Sequence, residues 1–352
     1  MNKDESLLKK LENTKNSLST DRLDMSFGEI MSMYERNEII IDPIFQRLFR
    51  WTNFQQTRFI ESLLLGIPIP PIFVAEDKDG RWELVDGLQR ISTVFSFFGL
   101  LKKLPEKNSW ILKNGDLIPE LDNYSCKDLP LKLQLNIKRS VCRIEIVKWN
   151  SKYDMRYELF NRLNTGGARL TDQEIRNCIF RGVSSEFNTF LSSESKKPVF
   201  IDLIGPTEKQ IEELYLDELV LRFCSLYNNG ENVKETISEH MTSFMKTIVS
   251  QPQKIELFKD IFNRTINLLK PLGKEVFRGS NNVLSTSLYD GITIGIAQNI
   301  SKFEIRDTNY LLSKIDQLKN DLEFRKASGS GAHSKSRIYK RLKVANLLFE
   351  NE

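Results

Sequence analysis

Histidine is almost missing from this chain: only His240 and His333 occur. A histidine-built metal site or a Ser-His-Asp hydrolase needs more than that, unless a partner supplies it. Both histidines read as surface residues. Cysteine is equally thin. Cys126, Cys142, Cys178 and Cys224 stand far apart with no C-x-x-C pair, so reduced thiols are expected rather than a disulfide or zinc framework. The phosphate-binding signature G-x-x-x-x-G-K-[ST] is absent, which excludes a P-loop NTPase. No apolar run approaches the roughly 18 residues of a membrane span. The charged start, MNKDESLLKKLENTKNS, is not a secretory signal. A soluble, cytoplasmic protein with no membrane partner is expected. An excess of either charge is lacking too: 51 basic against 47 acidic residues give +4, a balance that names no partner.

What is present is ordinary globular composition in 352 residues, enough for two domains with cores of their own. Residues 1–22 are polar and read as an arm or frayed helix. From 23 to 182, strand and helix signals interleave. Ser26-x-x-Glu29, Thr52-x-x-Gln55 and Thr171-x-x-Glu174 are capping-box patterns that open helices. Ile39–Ile41, Pro71–Ala75, Trp82–Val85 and Val141–Val147 read as strands. The middle two form a hairpin around Lys78-Asp79-Gly80. Ser151 is expected to cap a helix running to Asn164. From 185 to 352 strand patterns become rare and helical periodicity dominates, in Leu214–Tyr227, Val233–Ser250, Ile255–Leu269, Leu284–Ile300, Tyr310–Lys326 and Ser336–Phe349. The expected class is α+β followed by a mostly helical second domain.

The most informative segment is Val85-Asp-Gly-Leu-Gln-Arg-Ile-Ser-Thr93, which leaves a strand and opens a helix. Backbone N–H groups and the positive end of a helix dipole can hold an anion there. Asp86-Gly87 supplies the sharp turn, and Gly87 permits close approach of a ligand. Gln89 and Arg90 fall in the first helical turn, where an amide and a guanidinium reach phosphate oxygens. Leu88, Ile91, Val94, Phe95 and Phe98 form the apolar face, leaving Gln89, Arg90 and Thr93 together on another. The plainer alternative, a turn before a helix with a solvated arginine, stays open on this segment alone.

Two further clusters look unlike scaffold. Gln46-Arg47 lies among aromatics and Trp51, suited to stacking and phosphate contact or simply to a core. Asn161-Arg162-Leu163-Asn164-Thr165-Gly166-Gly167 ends a helix in glycines with more polar groups than a cap requires. Near the end, Arg325–Lys343 carries seven Lys or Arg and no Asp or Glu. Within it Lys335, Arg337, Lys340 and Arg341 are candidates for nucleic-acid phosphates, against the alternative of a solvated helix face.

Taken in order, Phe45-Gln-Arg, Ile67-Pro-Ile-Pro-Pro, Val85-Asp-Gly-Leu-Gln-Arg and Arg162-Leu-Asn-Thr-Gly-Gly resemble the N-terminal domain of GmrSD-type modification-dependent restriction proteins. The same ParB/sulfiredoxin-like domain begins the SspE-type anti-phage proteins. The resemblance covers roughly 25–182. It implies a nucleotide site linked to DNA restriction, with an NTP and Mg²⁺ as cofactors. Asp86, Gly87, Gln89 and Arg90 would form that site with Gln46 and Arg47 beside it. Thr93 joins them on the helix. Asn161, Arg162, Asn164 and Thr165 match, more loosely, a helix that covers the triphosphate in the wider superfamily. In this scheme Asp86 orients water or metal, Asn164 helps hold the metal, and Arg90 touches phosphate. Arg90→Ala is then expected to abolish hydrolysis while sparing the fold.

Two departures stand out. Family members usually carry a second Gln where Leu88 stands. The complete restriction proteins also carry a His-Asn-His nuclease domain, which two isolated histidines cannot supply. Cleavage would fall to a separate nuclease subunit, and a homo-oligomer is the other partner considered. The sulfiredoxin branch needs a reactive cysteine at position 88. Two rival functions remain: a non-enzymatic DNA-binding or adaptor protein, and a ParB-like nuclease acting alone.

Overall fold

A computed structural model describes residues 3–15, 17–41, 51–102, 104–151, 158–160, 162, 171–180, 185–233, 236–279, 282–329 and 331–351. The chain divides into two compact units, Met1–Gly182 and Val183–Glu352.

The first unit is built on a mixed sheet of five strands: β1 (Thr20–Ser26), β2 (Ile39–Ile40), β3 (Ile72–Glu76), β4 (Trp82–Asp86) and β5 (Val141–Val147), in the order β1-β5-β3-β4-β2. The hairpin β3–β4 is antiparallel, as the turn residues require, while β3–β5 and β2–β4 are parallel. Helices α1 (Lys3–Lys15), α2 (Phe27–Glu35), α3 (Asn53–Leu65), α4 (Leu88–Phe97), α5 (Leu131–Arg139) and α6 (Asp172–Phe180) accompany it. The expected caps form. Ser26 accepts from the Glu29 N–H, and Thr52 with Gln55 closes a reciprocal box. Thr171 and Glu174 do the same at α6. The core gathers Phe27, Ile60, Val94, Phe95, Ile137 and Ile144 from α2, α3, α4, α5 and β5.

One strand departs from expectation. Thr20–Ser26, whose first three residues fall in the expected polar arm and which is not read as a strand from sequence, is an edge strand paired with β5 in the register Thr20↔Val147 to Ser26↔Val141. Only Leu23 and Met25 carry its apolar signal, and the strand is exposed over most of its length. The flanking charges Asp21, Arg22 and Asp24 suit an open edge, where they discourage pairing with another chain. Ser151 ties down the start of this strand, and the helix it is expected to cap would begin outside the described residues. Its hydroxyl accepts from the Ser19 N–H and donates to the Ser19 carbonyl, both at 2.9 Å.

The second unit is helical, comprising α7 (Ser185–Ser195), α8 (Pro198–Ile204), α9 (Glu208–Glu212), α10 (Tyr215–Asn229), α11 (Ile237–Val249), α12 (Ile255–Leu269), α13 (Thr286–Gln298), α14 (Ile300–Glu304), α15 (Thr308–Asn320), α16 (Leu322–Ser328) and α17 (Lys335–Glu350). Helix α13 is its axis, buried at every residue from Ser287 to Ala297. Gly291 is required there: a Cβ would lie 2.6 Å from the Phe324 ring. The single helix expected over Tyr310–Lys326 is two. Asp321 ends α15 and caps α16, its carboxylate accepting from the Phe324 N–H at 2.7 Å. His240, expected at the surface, is buried with its Nε2 3.1 Å from the Ser225 carbonyl oxygen. His333 is exposed, as expected.

Candidate functional site

Strand β4 delivers Asp86 to the open end of the hairpin through an irregularity. Phe73 pairs with Asp86 but Val74 pairs with Leu84, so Val85 is an extra residue on β4. Such bulges bend a strand and re-aim the side chain beside them. Gly87 follows at φ +95°, a left-handed conformation that costs a residue with a Cβ. Sequence reasoning saved that space for a ligand, yet a Cβ there would lie 2.8 Å from Ile72 Cγ1. The glycine is needed first for packing. It also leaves the first turn of α4 without a side-chain cap, so the orphan amides characteristic of a helix start are not covered by this residue.

Arg90 is the hub of the turn. Its Nη2 donates to Asp86 Oδ2 at 2.7 Å, and its Nη1 donates to the Pro71 carbonyl at 3.1 Å and to the Pro70 carbonyl. The guanidinium therefore ties the Ile67-Pro-Ile-Pro-Pro segment to the Asp-Gly turn. Two of the motifs that carry the family resemblance meet here through one side chain. The pair is unequal in exposure: the Arg90 side chain is 10% exposed and Asp86 49%. A half-exposed carboxylate fixed by a nearly buried cation is the group at this turn that offers itself to solvent.

Gln89 is buried, its Oε1 accepting from the Trp51 N–H at 3.1 Å. This bond anchors the chain that leads into α3. Thr93 is buried at the next turn, and its hydroxyl has no partner among the described residues. The polar face of α4 is thus as buried as the apolar one, with Ser92 and Ser96 inside too. Leu88, the departure from the family pattern, packs half-buried against the core. Cys142 lies close enough to feel the Arg90 charge. Burial nonetheless pushes its thiol up to about 11, against the smaller downward pull of the cation.

Gln46, Arg47, Asn161, Asn164 and Thr165 lie outside the described residues. Arg162 is exposed and ion-paired with Glu158 at 2.7 Å. Among the described residues no group of three or more His, Cys, Asp or Glu gathers to hold a metal. The donor available at the turn is the single carboxylate of Asp86. That suits Mg²⁺, which commonly takes one or two carboxylates and fills its other positions with phosphate oxygens and water.

The basic C-terminal segment separates into two kinds of residue. Lys335 and Lys340 are exposed. Arg337 donates to the Lys326 carbonyl at 2.7 Å. Arg341, expected beside them on a phosphate-facing surface, is fully buried. It bonds Asp290 Oδ2 at 2.8 Å and the Ala327 and Ala332 carbonyls, which flank the Ser-Gly-Ser-Gly sequence at 328–331, the Ser-Gly loop. Asp290 also takes Arg222 at 2.7 Å. This buried triad was missed from sequence, where Asp290 stands alone in an apolar helix, a setting that signals an internal ion pair.

The first unit is an α+β domain that presents a clamped carboxylate at a strand-to-helix turn. Residues 27–181 match the family model described as the GmrSD restriction endonuclease, N-terminal domain, and this part of the chain is a GmrSD-type N-terminal domain. A domain of this kind marks a component of a restriction or anti-phage system. No curated protein and no solved structure gives a match. No helix among the described residues is long and apolar enough to cross a membrane.

Proposed function

We propose that this chain binds and hydrolyses a nucleoside triphosphate as part of a DNA-restriction or anti-phage system, and that the phosphates sit at the Asp86–Arg90 turn. The observation that carries this is Asp86: a bulged strand aims it, a buried arginine fixes it, and it remains half in water. Phosphoryl transfer asks a protein mainly for positioning and charge stabilisation, so the near absence of histidine is no obstacle. Uncapped amides at the start of α4 supply the phosphate contacts, backed by the helix dipole. Arg90 contributes positive charge to the same spot while it holds Asp86 and the proline segment in place. Asp86 orients the attacking water or the metal. A divalent cation bound with the nucleotide supplies neutralisation of the phosphate charge. Gln46, Arg47, Asn161, Asn164 and Thr165 remain the proposed surroundings of the nucleotide on the strength of the family resemblance.

DNA is the proposed macromolecular partner, contacted by Lys335 and Lys340, and cleavage is assigned to a separate nuclease subunit. The deciding experiment is phosphate release by the purified chain with Mg²⁺ and each of the four NTPs, beside Asp86→Ala. Turnover with one NTP that vanishes in Asp86→Ala is expected. Turnover unchanged by the substitution moves the site elsewhere. Absence of both turnover and nucleotide-dependent thermal stabilisation favours the adaptor function.

A further inference from the structure

The first unit carries a second concavity beside α4, lined by Ser96 near the end of that helix and by Trp51, whose N–H bonds Gln89 at its start. It is a cleft of about 340 Å³ whose lining includes Trp51, Asn53, Gln56, Ser96, Asn108 and Trp110. Two indoles form part of its wall, each backed by a core phenylalanine. Trp51 meets Phe59 edge-on at 5.5 Å between ring centroids, and Trp110 tilts against Phe97 at 5.3 Å. Their positions are set by the core before any ligand arrives.

Most polar side chains of the lining are spoken for. Asn108 exchanges two hydrogen bonds with the Leu101 backbone. Asn53 donates to the Ile111 carbonyl and accepts from Thr57, and Ser96 donates to the Lys107 carbonyl. Gln56 differs. It is 7% exposed, and its side-chain amide has no partner among the described residues. Trp110 adds a buried indole N–H that also lacks an acceptor. Buried polar groups are normally paired, so the Trp110 N–H is a specific exception, while the Gln56 amide, which is not among the sealed orphan atoms, faces the cleft.

From these groups we infer that the cleft is a binding site for a nucleobase with an adenine-type edge. A primary amide places a donor and an acceptor side by side, and adenine presents the complementary acceptor and donor at N7 and N6. Indole faces add stacking area that any base can use. The volume lies at the small end of ligand sites, matching one base and its sugar rather than an extended cofactor. The base comes either from a free nucleoside or from an unstacked position in a single strand. The inference does not depend on the phosphate site, because neither source needs a phosphate at Asp86.

The test titrates the full chain with adenosine, with inosine and with a short oligodeoxyadenylate. Tryptophan fluorescence and the Trp110 indole N–H resonance are followed. Saturable binding of adenosine, about tenfold weaker for inosine and about tenfold weaker in Gln56→Met, supports a free nucleoside. Saturation by the oligonucleotide alone, with the same loss in Gln56→Met, supports a base held in a strand. Gln56→Glu, which removes the donor but keeps the shape, is the second variant should Gln56→Met melt early. Asp86→Ala leaves these affinities unchanged, which keeps this site distinguishable from the proposed phosphate site. Non-saturable signals for both ligands, or affinities indifferent to both Gln56 variants, overturn the proposal.

Discussion

Among the arginine–aspartate pairs of the described residues, those at Asp290 and Asp86 make an instructive contrast. At Asp290, in the helical unit, two guanidiniums converge on one carboxylate and all three side chains are sealed from water. At Asp86, in the α+β unit, one nearly buried guanidinium meets a carboxylate that is half exposed. Both arginines with spare donors, Arg341 and Arg90, use them on main-chain carbonyls of irregular segments. Each cluster therefore pins a loop. Only the second leaves an acid accessible to a ligand. Burial of the acid, rather than the presence of the pair, separates scaffold from candidate chemistry.

The largest effect is expected at the sealed cluster. Asp290→Asn leaves two buried guanidiniums without their counter-charge, and should cost about 3–5 kcal/mol in a denaturant melt. Burial pushes the Asp290 carboxyl up, but Arg222 and Arg341 together outweigh it and hold it below the ordinary carboxylate range. Its stabilisation is thus complete above about pH 4, where an unfolded aspartate is ionised, and drains away as pH falls through the lower folded value. The gap between wild type and Asp290→Asn should be flat above that pH and shrink below it. A gap that widens in acid would falsify the assignment of the stabilising charge to Asp290.

Arg90 comes next. Sequence reasoning expected Arg90→Ala to spare the fold, but the side chain ties Pro70, Pro71 and Asp86 together. A loss of about 2–4 kcal/mol is expected, on the scale of charge-assisted hydrogen bonds removed from a partly buried site. Arg90→Lys should recover little, since one ammonium cannot reproduce the planar fork. Wild-type melting in Arg90→Ala would break the parallel with Asp290.

The contrast also shows where sequence is legible. Helix caps were readable because Ser, Thr and acidic residues at fixed offsets do one local job, and Thr52-Gln55 and Thr171-Glu174 formed as expected. The hairpin and the Asp86 turn were readable for the same reason. What escaped was non-local. Nothing near Thr20–Ser26 announces a strand, because its pairing with β5 comes from residues more than a hundred positions away. Arg341 read as one cation among several, since its partner Asp290 lies on another helix. The structural half of Arg90's role escaped as well, because the carbonyls it holds belong to prolines about twenty residues upstream. Gln56 gave no signal at all, as the cleft it lines is assembled from Trp51, Ser96, Asn108 and Trp110, which are far apart in sequence.

Asp86 tests the other half of the comparison by dissociating stability from activity. Asp86→Asn removes a half-exposed partner, so the melt should move by about 1 kcal/mol or less. Phosphate release, in the function proposed above, should fall to background. A large stability loss would make Asp86 a second Asp290 and remove the reason to place chemistry there.

The smallest structural effect belongs to the exposed lysines of α17. Lys335→Glu with Lys340→Glu should leave the melt unchanged, because neither side chain is buried. If these residues meet DNA phosphates, each lost contact should lower the slope of log affinity against log salt by about one, so the double variant loses about two. Arg341 belongs outside this set, since its charge is spent on Asp290 and on two loop carbonyls. A salt slope indifferent to the two lysines would make the basic segment what Arg341 already is, a brace for the Ser-Gly loop.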